Sequence, residues 1–201
     1  MICLPDIAAI FSFAIIEEQE GEKKMDITIR RATENDIKGI TKVHVDSWKT
    51  TYKGILSDEM IEATTYESRE KQWKNIFKQA IGNQYRYVAE TLDGEMIGFI
   101  DGGLERTGKY DCDGELYAIY LLKEYQGYKV GKQLFQTLVS EFIKNDIRSV
   151  LVWVISNNPS RLFYEKFNPE LVDTKFLERL EVEETAYCWR NVENLYRLIS
   201  N

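Results

Sequence analysis

Between Glu115 and Leu138 the chain changes its hydrophobic period within a few residues, and this change constrains the fold more than any other stretch. Glu115 to Leu122, ELYAIYLL, alternates and is rich in Tyr, Leu and Ile, the pattern of a half-buried strand. Gln126-Gly127-Tyr128-Lys129-Val130-Gly131 comes next as a basic glycine loop. Leu134, Phe135, Leu138 and Val139 then recur at three- and four-residue spacing on one helical face. A strand, loop and helix in this order present backbone N–H groups where the helix begins, with the positive end of its dipole behind them and Lys129 and Lys132 beside them. On the loop alone two readings stay open: an ordinary connection, or a cradle for phosphate.

The rest of the composition narrows the choice. With 201 residues, 44% hydrophobic and 29% charged, the chain is long enough for one well-buried core and ordinary for a globular domain. A formal net charge of −7, with no long basic run, argues against a nucleic-acid binder. An acidic surface is compatible with a cationic, amine-bearing substrate. Cys3, Cys112 and Cys188 are widely separated and follow no metal-ligand spacing, so neither a disulfide framework nor a zinc site is expected, and the compartment reads as reducing, hence cytoplasmic. One histidine, His44, leaves no multi-histidine metal centre.

Residues 1–24 differ in pattern from the remainder of the chain. Ile7 to Ile16 is an apolar run too short to span a bilayer and lacks a basic segment before it, so no membrane span or secretory signal is read. The stretch is expected to be an extension that is disordered, packs as a helix on a partner, or is not translated. From Met25 the pattern is regular and fits a single domain over 25–201. Ile27 to Arg30 alternates as a first strand, and Thr33 to Asp36 offer oxygens for a helix N-cap. Ile37, Ile40, Val43, His44 and Trp48 share a helical face, and a second helix, straight or kinked, is expected from near Asp58 through Trp73 and Phe77. Tyr85 to Glu90 and Met96 to Leu104 read as strands joined by a hairpin turn at Asp93-Gly94. Ser149 to Ile155 reads as a strand buried on both faces, Ser160 to Phe167 as a short helix, and Leu171 to Leu180 and Glu184 to Arg190 as final strands around a charged turn. The order implies an α+β (α/β sandwich) fold, a mixed sheet with helices on both faces.

In that order two motifs stand out. Gln126-x-x-Lys129-x-Gly131 resembles the acetyl-CoA loop of the GCN5-related N-acetyltransferases, Gln/Arg-x-x-Gly-x-Gly/Ala, with Lys129 in place of the middle Gly. Asn157-x-x-Ser160-x-x-Phe163-Tyr164-Glu165-Lys166 resembles the same family's Asn-x-x-Ala/Ser-x-x-Phe-Tyr-Glu-Lys, with Asn168-Pro169 where the family continues Gly-Phe. Asn takes the left-handed conformation that Gly would, so the turn is expected to survive. The segments around Ile29 to Ile40 and Ser47 to Ile55 also look like the family's acceptor-side elements.

The resemblance implies a centrally splayed sheet and acetyl transfer from acetyl-CoA to a primary amine of a small molecule or peptide through a ternary complex. Such transfer needs a donor held beside its acceptor, a neutral amine, a stabilised oxyanion and a proton for the leaving thiolate. The resemblance implies that pyrophosphate sits on the amides of Gln126, Gly127, Tyr128, Lys129, Val130, Gly131 and Lys132. It also implies that the pantetheine arm adds as a strand to the backbone of Ile119, Tyr120, Leu121 and Leu122, and that Asn157, Ser160 and Phe163 lie on the cofactor; Asn157 is otherwise a helix cap. In place of Gly, Lys129 brings a Cβ that clashes with the cofactor or an ammonium that pairs with phosphate; pairing is expected, since a residue entering the helix in ordinary right-handed geometry does not require Gly. Tyr164 matches the family's general acid, and is otherwise a core aromatic. Glu115 is the candidate general base, with Asp113 its alternative. His44, Trp48 and Tyr52, at helical spacing, are candidates for the acceptor pocket or are core. Glu178, Glu181, Glu183 and Glu184 either attract a polyamine or a basic peptide or form a solvated face. A homodimer is the family's habit. An acyl-CoA sensor without turnover, or a structural protein that has lost the cofactor, is the competing reading.

Overall fold

The computed structural model describes residues 25–79 and 82–201, so the expectations for 1–24 lie outside the described residues. Among the described residues there are seven strands, β1 (Ile27–Arg31), β2 (Gln84–Thr91), β3 (Met96–Leu104), β4 (Gly114–Leu121), β5 (Val150–Ile155), β6 (Glu170–Leu177) and β7 (Val182–Trp189). They form one sheet in the order β1-β2-β3-β4-β5-β7-β6, antiparallel except for the β4–β5 pair. The helices are α1 (Ile37–Thr51), α2 (Asp58–Glu62), α3 (Tyr66–Lys78), α4 (Val130–Lys144), α5 (Arg161–Glu165) and α6 (Val192–Ser200). None is long and apolar enough to cross a membrane among the described residues.

Strand alternation sorts the core onto the two faces of this sheet. Ile119 and Leu121 of β4, with Val152 and Val154 of β5, pack against Leu134, Phe135, Leu138 and Val139 of α4. Ala118 and Tyr120 turn the other way, joining Val88 and Phe99 against Ile40, Val43 and Trp48 of α1 and Trp73 of α3. The mixed sheet with helices on both faces is therefore as the sequence implied.

Four expectations are corrected. The long second helix is two, because the chain breaks after Glu62 and restarts where Thr65 accepts a hydrogen bond from Ser68 N at 3.2 Å. The last turn covers 178–181, since β6 ends at Leu177 and Val182 already pairs with it. The C-terminal α6 has no counterpart among the elements expected from the sequence. It starts where Asn191 Oδ1 accepts from Asn194 N at 2.8 Å and buries Val192, Leu195 and Ile199 in the core that α4 shares. Finally, Cys112 and Cys188 form a disulfide, 76 residues apart in sequence. The β3–β4 loop folds over the sheet, packing Tyr110 and Cys112 beside Leu151, Trp153, Ala186 and Cys188. The inference of a reducing compartment from unpaired cysteines thereby loses its support.

The entrance to α1 rests on one guanidinium. Arg30 donates to Asp36 Oδ1 and Oδ2 at 2.7 and 2.9 Å and to Glu90 Oε2 at 2.9 Å, while Asp36 Oδ2 accepts from Thr33 N at 2.7 Å. Arg30 above all, and then the Thr33 bonds, hold the Asp36 carboxyl at about 2, below its ordinary 3.8. Its contribution is thus complete above 3.8 and lost as pH falls through about 2. Asp36→Ala is expected to lower stability by about 1–2 kcal/mol at neutral pH, measured by urea unfolding, with the deficit shrinking in acid.

Candidate active site

β4 and β5 run together for three register pairs, Gly114↔Val150, Glu115↔Leu151 and Leu116↔Val152, and then part. Each strand is held by its other neighbour. β5 keeps its register with β7 from Val150↔Trp189 to Ile155↔Glu184, and β4 stays on β3 to Leu121. At the parting point the β3–β4 register slips, leaving Tyr117 as the extra residue of a bulge. The splay that the sequence implied is present, and it opens the β5-facing edge of residues 118–121.

At the far end of that edge lies the glycine loop. Gln126 Nε2 donates to Leu121 O at 3.4 Å, tying the loop to the strand end. Gly127 has φ 83°, and a Cβ added there would meet nothing within 4 Å, so this glycine serves backbone conformation and not space. The first backward bond of α4 is Gln133 N to Lys129 O at 3.0 Å, so the N–H groups of Val130, Gly131 and Lys132 have no acceptor within the helix. Lys129 itself has φ 61° and ψ 11°. This corrects the expectation of right-handed geometry: Lys129 occupies the left-handed conformation that the family's Gly adopts without strain. Asn168, at φ 49°, takes the left-handed turn as expected.

Beyond the end of β5, Asn157 lies in the turn, Ser160 at the N-cap of α5 and Phe163 within α5. Asn157 is exposed, and the local turn is made by its neighbour: Asn158 is buried and its Oδ1 accepts from Ser160 N at 2.9 Å. Asn157 is therefore not the helix cap: Asn158, which the motif does not mark, closes the turn ahead of α5, and the N-cap position is Ser160. Ser160 and Phe163 are buried. Tyr164 is wholly buried, its ring set against Phe135, Phe163 and Trp189 at centroid distances of 6.2, 5.3 and 6.3 Å, and it acts electrostatically on Tyr120 of β4. It packs as a core aromatic and stands at the parting of the strands at once.

A cleft of about 890 Å³ opens on the α1–α3 side and reaches β4 at Tyr117 and Ala118. Of the three acceptor-pocket candidates only Trp48 lines it. His44 and Tyr52 have no exposure at all. His44 stacks on Tyr120 at 4.6 Å and accepts from Trp73 Nε1 at 3.1 Å through Nδ1; burial drives its pKa well down, which keeps the imidazole neutral. Among the described residues, the charged ones that line the cleft come from five separate segments: Arg69 and Lys71 of α3, Arg86 of β2, Asp101 of β3, Arg106 of the β3–β4 loop, and Arg179 of the last turn. Arg86 and Asp101 had a readable signal. Each is a charge inside an apolar strand, and the hairpin register sets them opposite one another.

These charges form a row across the sheet. Arg86 Nη2 lies 3.0 Å from Asp101 Oδ1, Arg106 clamps Glu115, and Lys175 Nζ lies 2.9 Å from Glu184 Oε1. Both oxygens of Glu115 are engaged by Arg106, Oε2 with Nε at 2.9 Å and Oε1 with Nη2. The alternative base is also committed, since Asp113 Oδ2 accepts from Arg148 N at 2.8 Å. Lys175 takes Glu184 away from the expected solvated cluster, while Glu178, Glu181 and Glu183 stay exposed.

With this geometry in place, comparison with known proteins is decisive. Residues 48–168 match the model of the acetyltransferase (GNAT) family. The chain belongs to the GNAT acetyltransferase family. Among its relatives, the uncharacterized N-acetyltransferase YuaI of Bacillus subtilis is 35% identical over 87% of this chain and 99% of its own length. A spermidine N(1)-acetyltransferase of Thermoplasma acidophilum is 30% identical over 75% of this chain and 92% of its own. The crystal structure of the PaiA N-acetyltransferase of that organism in complex with coenzyme A superposes with a TM-score of 0.67 at 27% identity, covering 82% of this chain and all of that one. As a GNAT member the protein is an acetyl-CoA-dependent N-acetyltransferase, passing an acetyl group to an amine.

Burial first, then the nearby Glu115 carboxylate, push Glu184 up from 4.5 to about 7 against the opposing pull of Lys175. Between those values the folded protein holds a proton that the unfolded chain has released, so stability falls as pH rises through the window. Glu184→Gln is expected to flatten the decline of Tm between pH 5 and 8, read by thermal unfolding; parallel profiles for the two proteins would refute the assignment.

Proposed function

We propose that the gap between β4 and β5 receives acetyl-CoA and that the cleft beside Trp48 receives the amine, so the acetyl group passes directly between them in a ternary complex. The observation that carries this reading is the loss of β4–β5 register after Leu116, which leaves a strand edge leading from the cleft to the N-terminus of a fifteen-residue helix. The chain's own groups fit the donor's parts. The backbone of Ile119, Tyr120, Leu121 and Leu122 takes the pantetheine arm as an added strand. The helix-end amides, flanked by Lys129 and Lys132, take the pyrophosphate. Asn157, Ser160 and Phe163 form the opposite wall.

When bound, the donor supplies an activated thioester. The chain's task is to align it, exclude water and manage protons. Tyr164 is the proposed proton donor to the departing sulfur, its ring fixed by Phe135, Phe163 and Trp189 around it. Trp48 walls the acceptor side, whereas His44 and Tyr52 are proposed to hold Tyr120 and Trp48 in place from behind. Glu115, tied up by Arg106, is proposed to fix that arginine in the cleft wall in place of acting as the base.

Two experiments test these roles. Tyr164→Phe should lower kcat by about a hundredfold in a thiol-release assay while leaving the KM for acetyl-CoA within a factor of about two; an unchanged kcat would remove Tyr164 from the chemistry. Lys129→Gly should raise stability by about 1 kcal/mol by relieving the left-handed strain. It should also weaken coenzyme A binding severalfold in calorimetry, and unchanged or tighter binding would sink the idea that the ammonium helps to hold phosphate.

A further inference from the structure

We infer that the amine acceptor carries a carboxylate or similar oxyanion, bound by Arg179 and Arg69 in the cleft. This rests on the proposal that the cleft is the acceptor site. Among the described residues, the charged side chains in its wall are Arg69, Lys71, Arg86, Arg106 and Arg179 against one carboxylate, Asp101. Asp101 is matched by Arg86, and Glu115 behind the wall matches Arg106. Neither Arg179 nor Lys71 has a carboxylate within ion-pair distance among the described residues.

Arg69 and Arg179 act on one another as like charges, while Arg69 is fixed over the Trp48 ring at 5.0 Å and donates to Gln72 Oε1 at 2.6 Å. Two guanidinium groups turned to one space are matched by a planar oxyanion, which they can hold in a fork. Trp48, Trp73, Met60 and Ile76 supply apolar wall for a methylene body. The excess is local, because the chain as a whole carries −7. The last turn contributes Arg179 and Leu180 to the wall and none of Glu178, Glu181 or Glu183. A polyamine entering here would meet like charge at close range.

The test compares two amines of equal length, δ-aminovalerate and cadaverine, by thiol release with acetyl-CoA and by calorimetric binding to the coenzyme A-loaded protein. δ-Aminovalerate is expected to be favoured by at least about tenfold in kcat/KM and in affinity, less so as salt is added. Arg179→Gln should abolish that preference and Arg179→Glu should reverse it, with coenzyme A affinity unchanged. Arg179 is exposed on a turn, so both variants should fold. Equal or better use of cadaverine, binding of neither amine, or a preference indifferent to Arg179 would overturn the inference. Preferential binding of δ-aminovalerate without thiol release would support the charge assignment and refute acyl transfer at this cleft, so the two failures are distinct.

Discussion

The hydrogen bonds that β4 and β5 do not make are the constraint on which the rest of the structure depends. β5 is buried along its whole length and β4 nearly so, yet their ladder ends after Leu116↔Val152. An unsatisfied buried backbone group costs about 1–3 kcal/mol, so a sheet would normally zip such an edge shut. Here it cannot. Six register pairs bind β5 to β7, and the bulge at Tyr117 re-aims β4 while α4 packs on Ile119 and Leu121. The two halves of the sheet are each better held by their outer neighbours than by one another, and the edge left open is the one proposed to take the donor's arm.

A row of ion pairs, each with a buried carboxylate, runs across the same gap. Arg86–Asp101 lies on one half, Arg106–Glu115 at the junction and Lys175–Glu184 on the other, and Glu184 responds electrostatically to both Glu115 and Arg106. Buried ion pairs contribute little net stability because desolvation offsets their attraction, but breaking one is expensive. Such a row therefore resists the sliding of one half over the other more than it stabilises the whole, which suits a sheet that must keep a fixed opening.

Much of this is legible in the sequence wherever one residue type has one physical meaning. The period change after Leu122, the Asp93-Gly94 hairpin and the doubly buried β5 can be read because alternation, a turn dipeptide and a continuous apolar run each point to one geometry. Asn168 can be placed in a left-handed turn because Asn tolerates it. Lys129 cannot, because nothing in a lysine marks a positive φ, and only the family's Gly at that position hints at it. His44, Trp48 and Tyr52 share a helical face by spacing, but spacing does not say how far toward the sheet each lies, and only Trp48 reaches open space. The cleft's arginines and the Cys112–Cys188 pair are assembled from segments far apart in sequence, which no local pattern records.

The charge of the chain shows the same difference between pattern and place. A net −7 suggests a surface welcoming to cations, but the carboxylates of the last turn sit in solvent, where ionic screening acts within about 8–10 Å. The proposed sites are built from the minority charge. Lys129 and Lys132 stand at the helix end proposed for pyrophosphate, and Arg69 and Arg179 line the cleft proposed for the acceptor. A protein whose far field repels anions can still select them once they arrive, because a guanidinium at contact distance in a partly dry wall outweighs a screened carboxylate farther away. Overall charge then bears on how fast such ligands approach, and the few near charges on which of them stay.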